Sequence, residues 1–124
     1  RFDPLRVGAQ EAEEELEVFS WWTNPGEVDG LQALFDHFAE GSPDVEITNA
    51  TVAGGAGVNA QVALQNRLNG GDPPDSWQTH PGAELFDLYV DPGFCEPVTA
   101  LWDENGWNDV YPQGIIDQLE RDGE

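Results

Sequence analysis

The sequence predicts an α/β fold with a doubly wound, mostly parallel sheet. Three short runs at residues 16–21, 44–52 and 75–80 have the composition of strands, and each precedes a segment whose apolar residues recur at helical spacing. The order β-α-β-α-β-α is that of a parallel sheet layered with helices. With 124 residues, the chain is long enough to form one domain with a real core.

The first strand and helix have clear boundary signals. Residues 16–21 (LEVFSW) are β-branched and aromatic. Asn24 fits the N-cap, Pro25 the first helical position and Glu27 the third, so the pattern predicts a capping box. Gly41, just before a proline, is expected to end the helix. Its apolar stripe is predicted to comprise Val28, Leu31, Leu34, Phe35 and Phe38.

The middle of the chain predicts a second strand and a second helix. Residues 44–52 alternate apolar and polar side chains, as strands do. A glycine run at 54–57 then leads into a helix over 58–69, which glycines and prolines at 70–74 terminate. The apolar stripe of this helix is weaker and is predicted to comprise Val58, Val62 and Leu68.

A short third strand, 75–80 (DSWQTH), is predicted between chain breakers. Its alternation would direct the side chains of Ser76, Gln78 and His80 to one face. Pro81 can begin a third helix, which ends at 91–93. That helix carries Leu85, Phe86 and Tyr89, and two further helical pieces follow at 99–107 and 113–119.

Charge limits the partners of this chain. Its 25 acidic residues far outnumber four basic ones, all arginine, so the formal net charge is −21 and lysine is absent. Such a field repels nucleic acid and anionic lipid, and neither is expected as a partner. Salt screens the self-repulsion, with a Debye length of ~3 Å at 1 M. The composition therefore indicates a halophilic source, with an acidic mesophilic protein as the alternative.

The sequence offers little for catalysis or for metal binding. Cys95 is the single cysteine, which excludes an internal disulfide and a cysteine-rich metal site, and we expect it to be a small buried hydrophobe. His37 is expected on the surface, because no second metal ligand shares its helical spacing. None of the common hydrolase or metalloprotease motifs is present. We therefore expect a non-enzymatic protein without a resident metal or cofactor.

The domain organisation follows from composition. Residues 1–15 end in an acidic run and are predicted to form a tail or linker, with the folded part at 16–124. The start has the character of a trimmed or processed chain, and residues 121–124 resemble a turn that enters another strand.

Groups suited to a small neutral ligand follow all three predicted strands. In a parallel sheet the carboxyl ends of the strands share one edge, where α/β folds bind ligands. Indole faces fit the apolar face of a sugar, while carboxylate, amide and imidazole groups fit its hydroxyls. The candidates are Trp21, Trp22 and Glu27 after the first strand, Gly54 and Gly55 after the second, and Gln78 and His80 after the third.

Structural roles are open for several of these residues. Glu27 can serve only as the capping-box carboxylate, one of the two tryptophans can pack in the core, and His80 can be a structural histidine before Pro81.

The glycine run also permits a nucleotide-binding enzyme as the alternative function. Gly55 to Ala60 fit G-x-G-x-x-A between a strand and a helix, and Asp75 follows Gly55 by 20 residues, as a dinucleotide fingerprint requires. Against this interpretation, the run follows the second strand rather than the first, and Asp75 precedes its strand. In addition, no cationic residue lies near the run in sequence.

Several of these segments resemble one family. The chain is similar to the extracellular solute-binding proteins of sugar ABC transporters, in particular to their glucose/mannose-binding branch, in a haloarchaeal form. The similarity covers about residues 16–124. Its motifs are Trp21-Trp22-Thr23 with Gly26-Glu27, Val52-Ala53-Gly54-Gly55, Leu64 to Arg67 with Gly71, Pro73-Pro74-Asp75, and Gln78-Thr79-His80-Pro81-Gly82.

The resemblance implies a two-lobed, periplasmic-binding-protein-like fold in which the sugar lies between the lobes, and this chain looks like the opening part of the first lobe. It implies that Glu27, Gln78 and His80 bind sugar hydroxyls, that Trp21 or Trp22 lines the cleft, and that the glycine run approaches the ligand. The implied partners are a monosaccharide and the permease subunits of an ABC transporter. The implied location is extracellular, attached to the cell surface through a lipid anchor missing from this chain.

Overall fold

The computed structural model describes residues 14–124, so most of the predicted acidic tail, residues 1–13, lies outside the described residues. The strands are β1 Glu14–Ser20, β2 Val45–Thr51 and β3 Ser76–Trp77. The helices are α1 Pro25–Gly41, α2 Val58–Gly70, α3 Ala83–Leu85, α4 Thr99–Glu104 and α5 Gln113–Ile116.

The chain divides into two compact units. The first contains the described residues up to Ala60 together with Pro74–Trp77, and the second contains Gln61–Pro73 and Gln78–Glu124.

All three strands belong to one parallel sheet in the first unit, with the order β2-β1-β3. Phe19 of β1 lies opposite Ala50 on one side and opposite Trp77 on the other. Phe19 and Ser20 are each only 3% exposed, as expected for a central strand that is covered on both faces. The predicted α/β class with a mostly parallel sheet is confirmed.

The third strand is shorter than predicted, because it ends at Trp77. Asp75, just before the strand, forms two hydrogen bonds with Glu17 of β1. The Glu17 N–H donates to Asp75 Oδ2 at 2.8 Å, and the Asp75 N–H donates to the Glu17 carbonyl at 3.1 Å. Gln78 and His80 lie beyond the strand. The predicted strand 75–80 is therefore too long, and the shared face predicted for Ser76, Gln78 and His80 stays a prediction.

Helix α1 begins at Pro25 and ends at Gly41, as predicted. Its stripe, however, is only partly covered. Leu31 is buried, whereas Val28, Leu34 and Phe38 are 40% to 61% exposed. Helix α1 therefore buries only part of the apolar stripe that the sequence predicted.

Helix α2 buries only Leu68 of its predicted apolar stripe. Its buried residues are Ala60, Leu64 and Leu68, four residues apart, while Val58 and Val62 are about 60% exposed. Residues four apart lie on one side of a helix. The small side chain of Ala60 gives a weak hydrophobic signal. The predicted stripe was therefore assigned to the more apolar Val58 and Val62, which the structure leaves exposed.

In the second unit, α3 continues as one π-helical turn over Phe86–Val90. Phe86 and Tyr89, which the sequence assigned to the third helix, are buried there, and burial raises the pKa of the Tyr89 phenol. Gln65 of α2 donates its amide to the Leu88 carbonyl at 3.3 Å, which ties this turn to α2.

The predicted helical piece at 99–107 divides in two. Helix α4 ends at Glu104, and a 3₁₀ turn follows at Trp107–Asp109. Gly106 separates them with a φ of 63°, a left-handed conformation that favours glycine.

Candidate functional site

The candidate site begins at the carboxyl edge of the sheet. Strand β1 ends at Ser20 and β2 at Thr51, and their pairing continues one residue further through a 3.0 Å hydrogen bond from the Val52 N–H to the Ser20 carbonyl. Strand β3 runs parallel to β1 and ends at Trp77, directly before Gln78 in the chain. The three strands therefore point their carboxyl ends to one edge, as the sequence predicted.

Trp21 and Trp22 leave β1 at this edge, and both are half-buried. The indole of Trp21 lies against Gly57: a Cβ on that glycine would be 3.0 Å from Trp21 Cδ2 and 3.1 Å from Cε2. The Trp22 N–H donates to the buried Ser20 hydroxyl at 3.0 Å. Trp21 is thus the tryptophan whose ring packs against the backbone of the glycine run.

The glycine run is shaped by its own contacts. Gly54 has a φ of 99°, and a Cβ there would lie 2.7 Å from the Asn59 side-chain nitrogen. Asn59 in turn donates to the Ala53 carbonyl at 3.1 Å. Gly54 and Gly55 are exposed. Asn59 was not predicted as a site residue, although asparagine side chains commonly form hydrogen bonds with nearby backbone groups in loops.

Glu27 forms the predicted capping box with Asn24. Its Oε2 accepts the Asn24 N–H at 3.2 Å and the Asn24 side-chain amide at 2.9 Å. The Glu27 side chain is half-buried in the first turn of α1. The capping role is therefore confirmed, and the predicted role toward a ligand stays a prediction.

Glu84 holds the segment that contains His80. One carboxylate oxygen, Oε2, lies 2.8 Å from His80 Nδ1. The other, Oε1, accepts the Thr79 hydroxyl at 3.1 Å and the His80 N–H at 3.2 Å. Sequence reasoning missed Glu84, because this residue lies in the predicted third helix and nothing in the sequence shows that its side chain reaches back to Thr79 and His80.

The carboxyl group of Glu84 has a lowered pKa. Burial raises it, but the hydrogen bonds from the His80 ring, the His80 N–H and the Thr79 hydroxyl outweigh burial and bring the pKa below its ordinary value of 4.5. Glu84 is therefore a charged acceptor at neutral pH, with three donors around it.

The two remaining sequence expectations concern His37 and Cys95. The His37 side chain is 85% exposed and lies 3.2 Å from Glu40 through Nδ1, so its predicted surface position is confirmed. The expectation of a buried Cys95 was wrong in degree, because this side chain is only half-buried, and burial raises the pKa of its thiol.

The family model of the bacterial extracellular solute-binding proteins matches residues 24–120. The chain belongs to this family.

Curated relatives carry related names. The chain is 36% identical over 106 residues to an ABC transporter extracellular-binding protein of Pyrococcus horikoshii. This match covers 86% of this chain and 23% of that relative. It is 29% identical over 119 residues to a protein of Rhizobium meliloti and 30% identical over 117 residues to one of Brucella melitensis. Both are named "probable sugar-binding periplasmic protein".

The matches to these two cover 96% and 94% of this chain, and 28% and 27% of the relatives. The chain thus spans about a quarter of the length of the curated relatives it matches.

The glycine run of this solute-binding protein differs from a dinucleotide-binding loop. Asp75 lies at the amino end of β3, where Glu17 of β1 engages its carboxylate, whereas the acidic residue of a dinucleotide site approaches the ribose at the ligand-binding edge of the sheet. Gly57, the second glycine of the pattern, packs on Trp21. The packing of the solute-binding domain therefore accounts for both features that suggested a nucleotide.

The described part of this solute-binding protein has two further properties. Within residues 14–124, no three acidic, histidine or cysteine side chains are grouped closely enough to hold a metal ion. No helix in the same stretch combines the length and the apolarity that a membrane crossing needs.

The second unit contains a cavity of about 750 Å³ lined by Phe86, Cys95, Trp102 and Ile116, among others. None of the predicted site residues lines it. The candidate site is therefore defined by the ends of the strands and not by this cavity.

Proposed function

We propose that this solute-binding protein captures a carbohydrate, a glucose-like monosaccharide, outside the membrane and passes it to an ABC importer. The observation that carries the proposal is the shared carboxyl edge of the three parallel strands, from which Trp21, Trp22 and Gln78 directly continue the chain. Membership of the solute-binding family and the sugar-binding names of two relatives support the same class of ligand.

In this proposal Trp21 or Trp22 provides an indole face for the apolar face of the pyranose. Glu27 accepts a sugar hydroxyl while it caps α1, since a carboxylate offers about four acceptor positions and the capping box uses two on Oε2. Gln78 can donate and accept, and His80 provides one ring nitrogen. The exposed Gly54 and Gly55 leave room for the ligand to approach the backbone.

In this proposal the protein binds its ligand and catalyses no reaction. Its partners are the monosaccharide and the permease subunits of an ABC transporter, and it is held at the outer cell surface by a lipid anchor. Its charge suits a halophilic, haloarchaeal setting, because molar salt screens a net charge of −21.

Isothermal titration calorimetry of the full-length protein in molar KCl tests the proposal. We expect saturable heat with glucose, mannose or galactose, and none with an amino acid of similar size. His80→Ala should weaken binding about tenfold or more, since a lost hydrogen bond in a closed sugar site costs about 1–2 kcal/mol. His37→Ala, at the only other histidine, is the matched control and should bind like the wild type. Absence of heat from all three sugars would overturn the proposal.

A further inference from the structure

The segment Thr79–Glu84 contains a histidine whose ring is oriented by one carboxylate. Gly82, with a φ of 82°, is the N-cap residue of α3, and its N–H donates to the Gln118 carbonyl at 2.9 Å. This turn brings Glu84 back toward Thr79 and His80, and the carboxylate there accepts three hydrogen bonds. The His80 side chain remains 52% exposed, whereas that of Glu84 is 23% exposed. The carboxylate is thus on the inner side of the pair and the imidazole on the outer side.

The short contact to Glu84 decides which nitrogen of the neutral His80 ring carries the proton. A carboxylate only accepts, so the ring nitrogen 2.8 Å away must be the donor, and that nitrogen is Nδ1. In a neutral imidazole one nitrogen donates and the other accepts, and the partner of the first sets the role of the second. Nε2 is therefore an acceptor.

We infer that Glu84 is a positioning residue for the candidate site: it holds His80 in the tautomer that presents Nε2 as an acceptor to a ligand hydroxyl. The identity of that hydroxyl as a sugar group rests on the proposed function. The tautomer itself rests only on the contacts within this segment. His80 Nε2 then accepts a hydrogen bond from one ligand hydroxyl. Gln78, two residues earlier in the chain, has a side chain that can donate as well as accept.

A purely structural role for Glu84 makes a different prediction. If the carboxylate only closed the turn, its bonds to the Thr79 hydroxyl and the His80 N–H would be sufficient, and the ring tautomer would not depend on it. The tautomer can be measured directly, because an unprotonated ring nitrogen resonates far downfield of a protonated one in ¹⁵N spectra. The chain has only His37 and His80, so histidine-selective labelling gives two ring systems, which His37→Ala assigns.

The test uses the full-length protein, ¹⁵N-labelled at histidine, at about pH 9, where an ordinary imidazole is neutral. We expect the wild-type His80 ring to be protonated on Nδ1. Glu84→Gln can offer an amide N–H to Nδ1, so we expect the proton to move to Nε2. Thr79→Val removes another bond to the same carboxylate and should leave the tautomer unchanged. Glu40→Gln, at the partner of His37, should alter only the His37 signals.

Two results would overturn the inference: a wild-type His80 protonated on Nε2, or an unchanged His80 tautomer in a folded Glu84→Gln protein. The wild-type spectrum decides even if the Glu84→Gln variant does not fold, which circular dichroism would show.

Sugar titrations of the same proteins test the proposed function separately. Glu84→Gln should weaken binding roughly tenfold, while Thr79→Val should stay within about twofold. Absence of sugar binding in the wild type would refute the proposed function and leave the tautomer result intact.

Discussion

Gly57 supports the indole of Trp21 at the carboxyl edge of the sheet. The glycine has a φ of 97°, and a Cβ at this position would lie 3.0 Å to 3.2 Å from three carbon atoms of the indole. Two separate requirements therefore demand glycine here: a backbone conformation that other residues rarely adopt and the absence of a side chain. Gly57 thus fixes the position of the Trp21 indole.

Gly57→Ala should destabilise the protein by about 2 kcal/mol or more, because left-handed strain costs about 1–2 kcal/mol and the indole must also move. Urea unfolding in molar KCl, followed by tryptophan fluorescence, measures this. Gly30→Ala is the matched control: nothing lies within 4 Å of a Cβ there, and alanine in a helix interior should stabilise by up to about 1 kcal/mol. Equal stabilities for the two variants would contradict the requirement for glycine at position 57.

The ends of α1 could be predicted from the sequence because local chemistry determines them. Asn24, Pro25 and Glu27 form a start signal within four residues, and Gly41 is the stop. The buried faces could not be predicted in the same way. They depend on which elements cover each helix, so Leu31 is buried and Leu34 is 61% exposed although both belong to one stripe.

The residues of the candidate site also fall into those that local sequence signals could identify and those that they could not. Trp21, Trp22 and Glu27 follow a strand whose end is visible in the sequence, so they could be assigned to the sheet edge. Glu84 could not be identified, because it reaches Thr79 and His80 through a turn without periodicity. Its only sequence signal was a glutamate four residues after a histidine. That spacing brings two side chains together when both lie in one helix, whereas here His80 precedes α3 and Glu84 lies in its first turn.

Glu27 should show two separable roles. Glu27→Ala removes the acceptor for Asn24 and should destabilise the protein by about 1 kcal/mol, the typical value of a helix cap. Glu27→Gln retains an oxygen that can accept the Asn24 N–H and should lose much less stability. Under the proposed function both variants weaken sugar binding in calorimetry, because both lose the charged acceptor. Wild-type sugar affinity in Glu27→Gln would confine Glu27 to the capping role.

Lowering the pH should remove the stabilisation that the charged Glu84 carboxylate gives to the fold. The pKa of its carboxyl group is lowered below 4.5 in the folded protein, since hydrogen bonds to His80 and Thr79 outweigh the opposing effect of burial. The charged form therefore stabilises the fold above about pH 4.5, and this contribution disappears as the pH falls through the folded-state pKa. Urea unfolding between about pH 6 and pH 3 measures it.

The comparison with variants isolates this carboxyl group from the many others. The difference in unfolding free energy between the wild type and Glu84→Gln should shrink toward low pH, and Thr79→Val should show a smaller change of the same sign. A difference that is independent of pH would contradict the role assigned to these hydrogen bonds.

Salt should stabilise the folded chain. The formal net charge is −21, and within residues 14–124 Arg67 and Arg121 pair with Asp72 and Asp91. The Debye length falls from ~10 Å at 0.1 M to ~3 Å at 1 M salt. Because the repulsion between carboxylates is then weaker, we expect Tm to rise by several degrees from about 0.1 M to 2 M KCl. Betaine at the same osmolality is the control, because it is excluded from the surface without screening charge. An equal rise with betaine would contradict screening as the cause.

The adjacent tryptophans should separate stability from binding. The Trp21 ring is packed on Gly57, so Trp21→Leu should lower the free energy of unfolding by about 1–2 kcal/mol through lost apolar contact. Trp22 has its backbone N–H fixed by the buried Ser20 hydroxyl, and under the proposed function its indole is the freer platform for the sugar. Trp22→Leu should therefore weaken sugar binding about tenfold in calorimetry, the value of one aromatic stacking contact, with a smaller loss of stability. The reverse pattern, in which Trp22→Leu lowers stability and Trp21→Leu lowers only affinity, would assign the sugar-facing ring to Trp21.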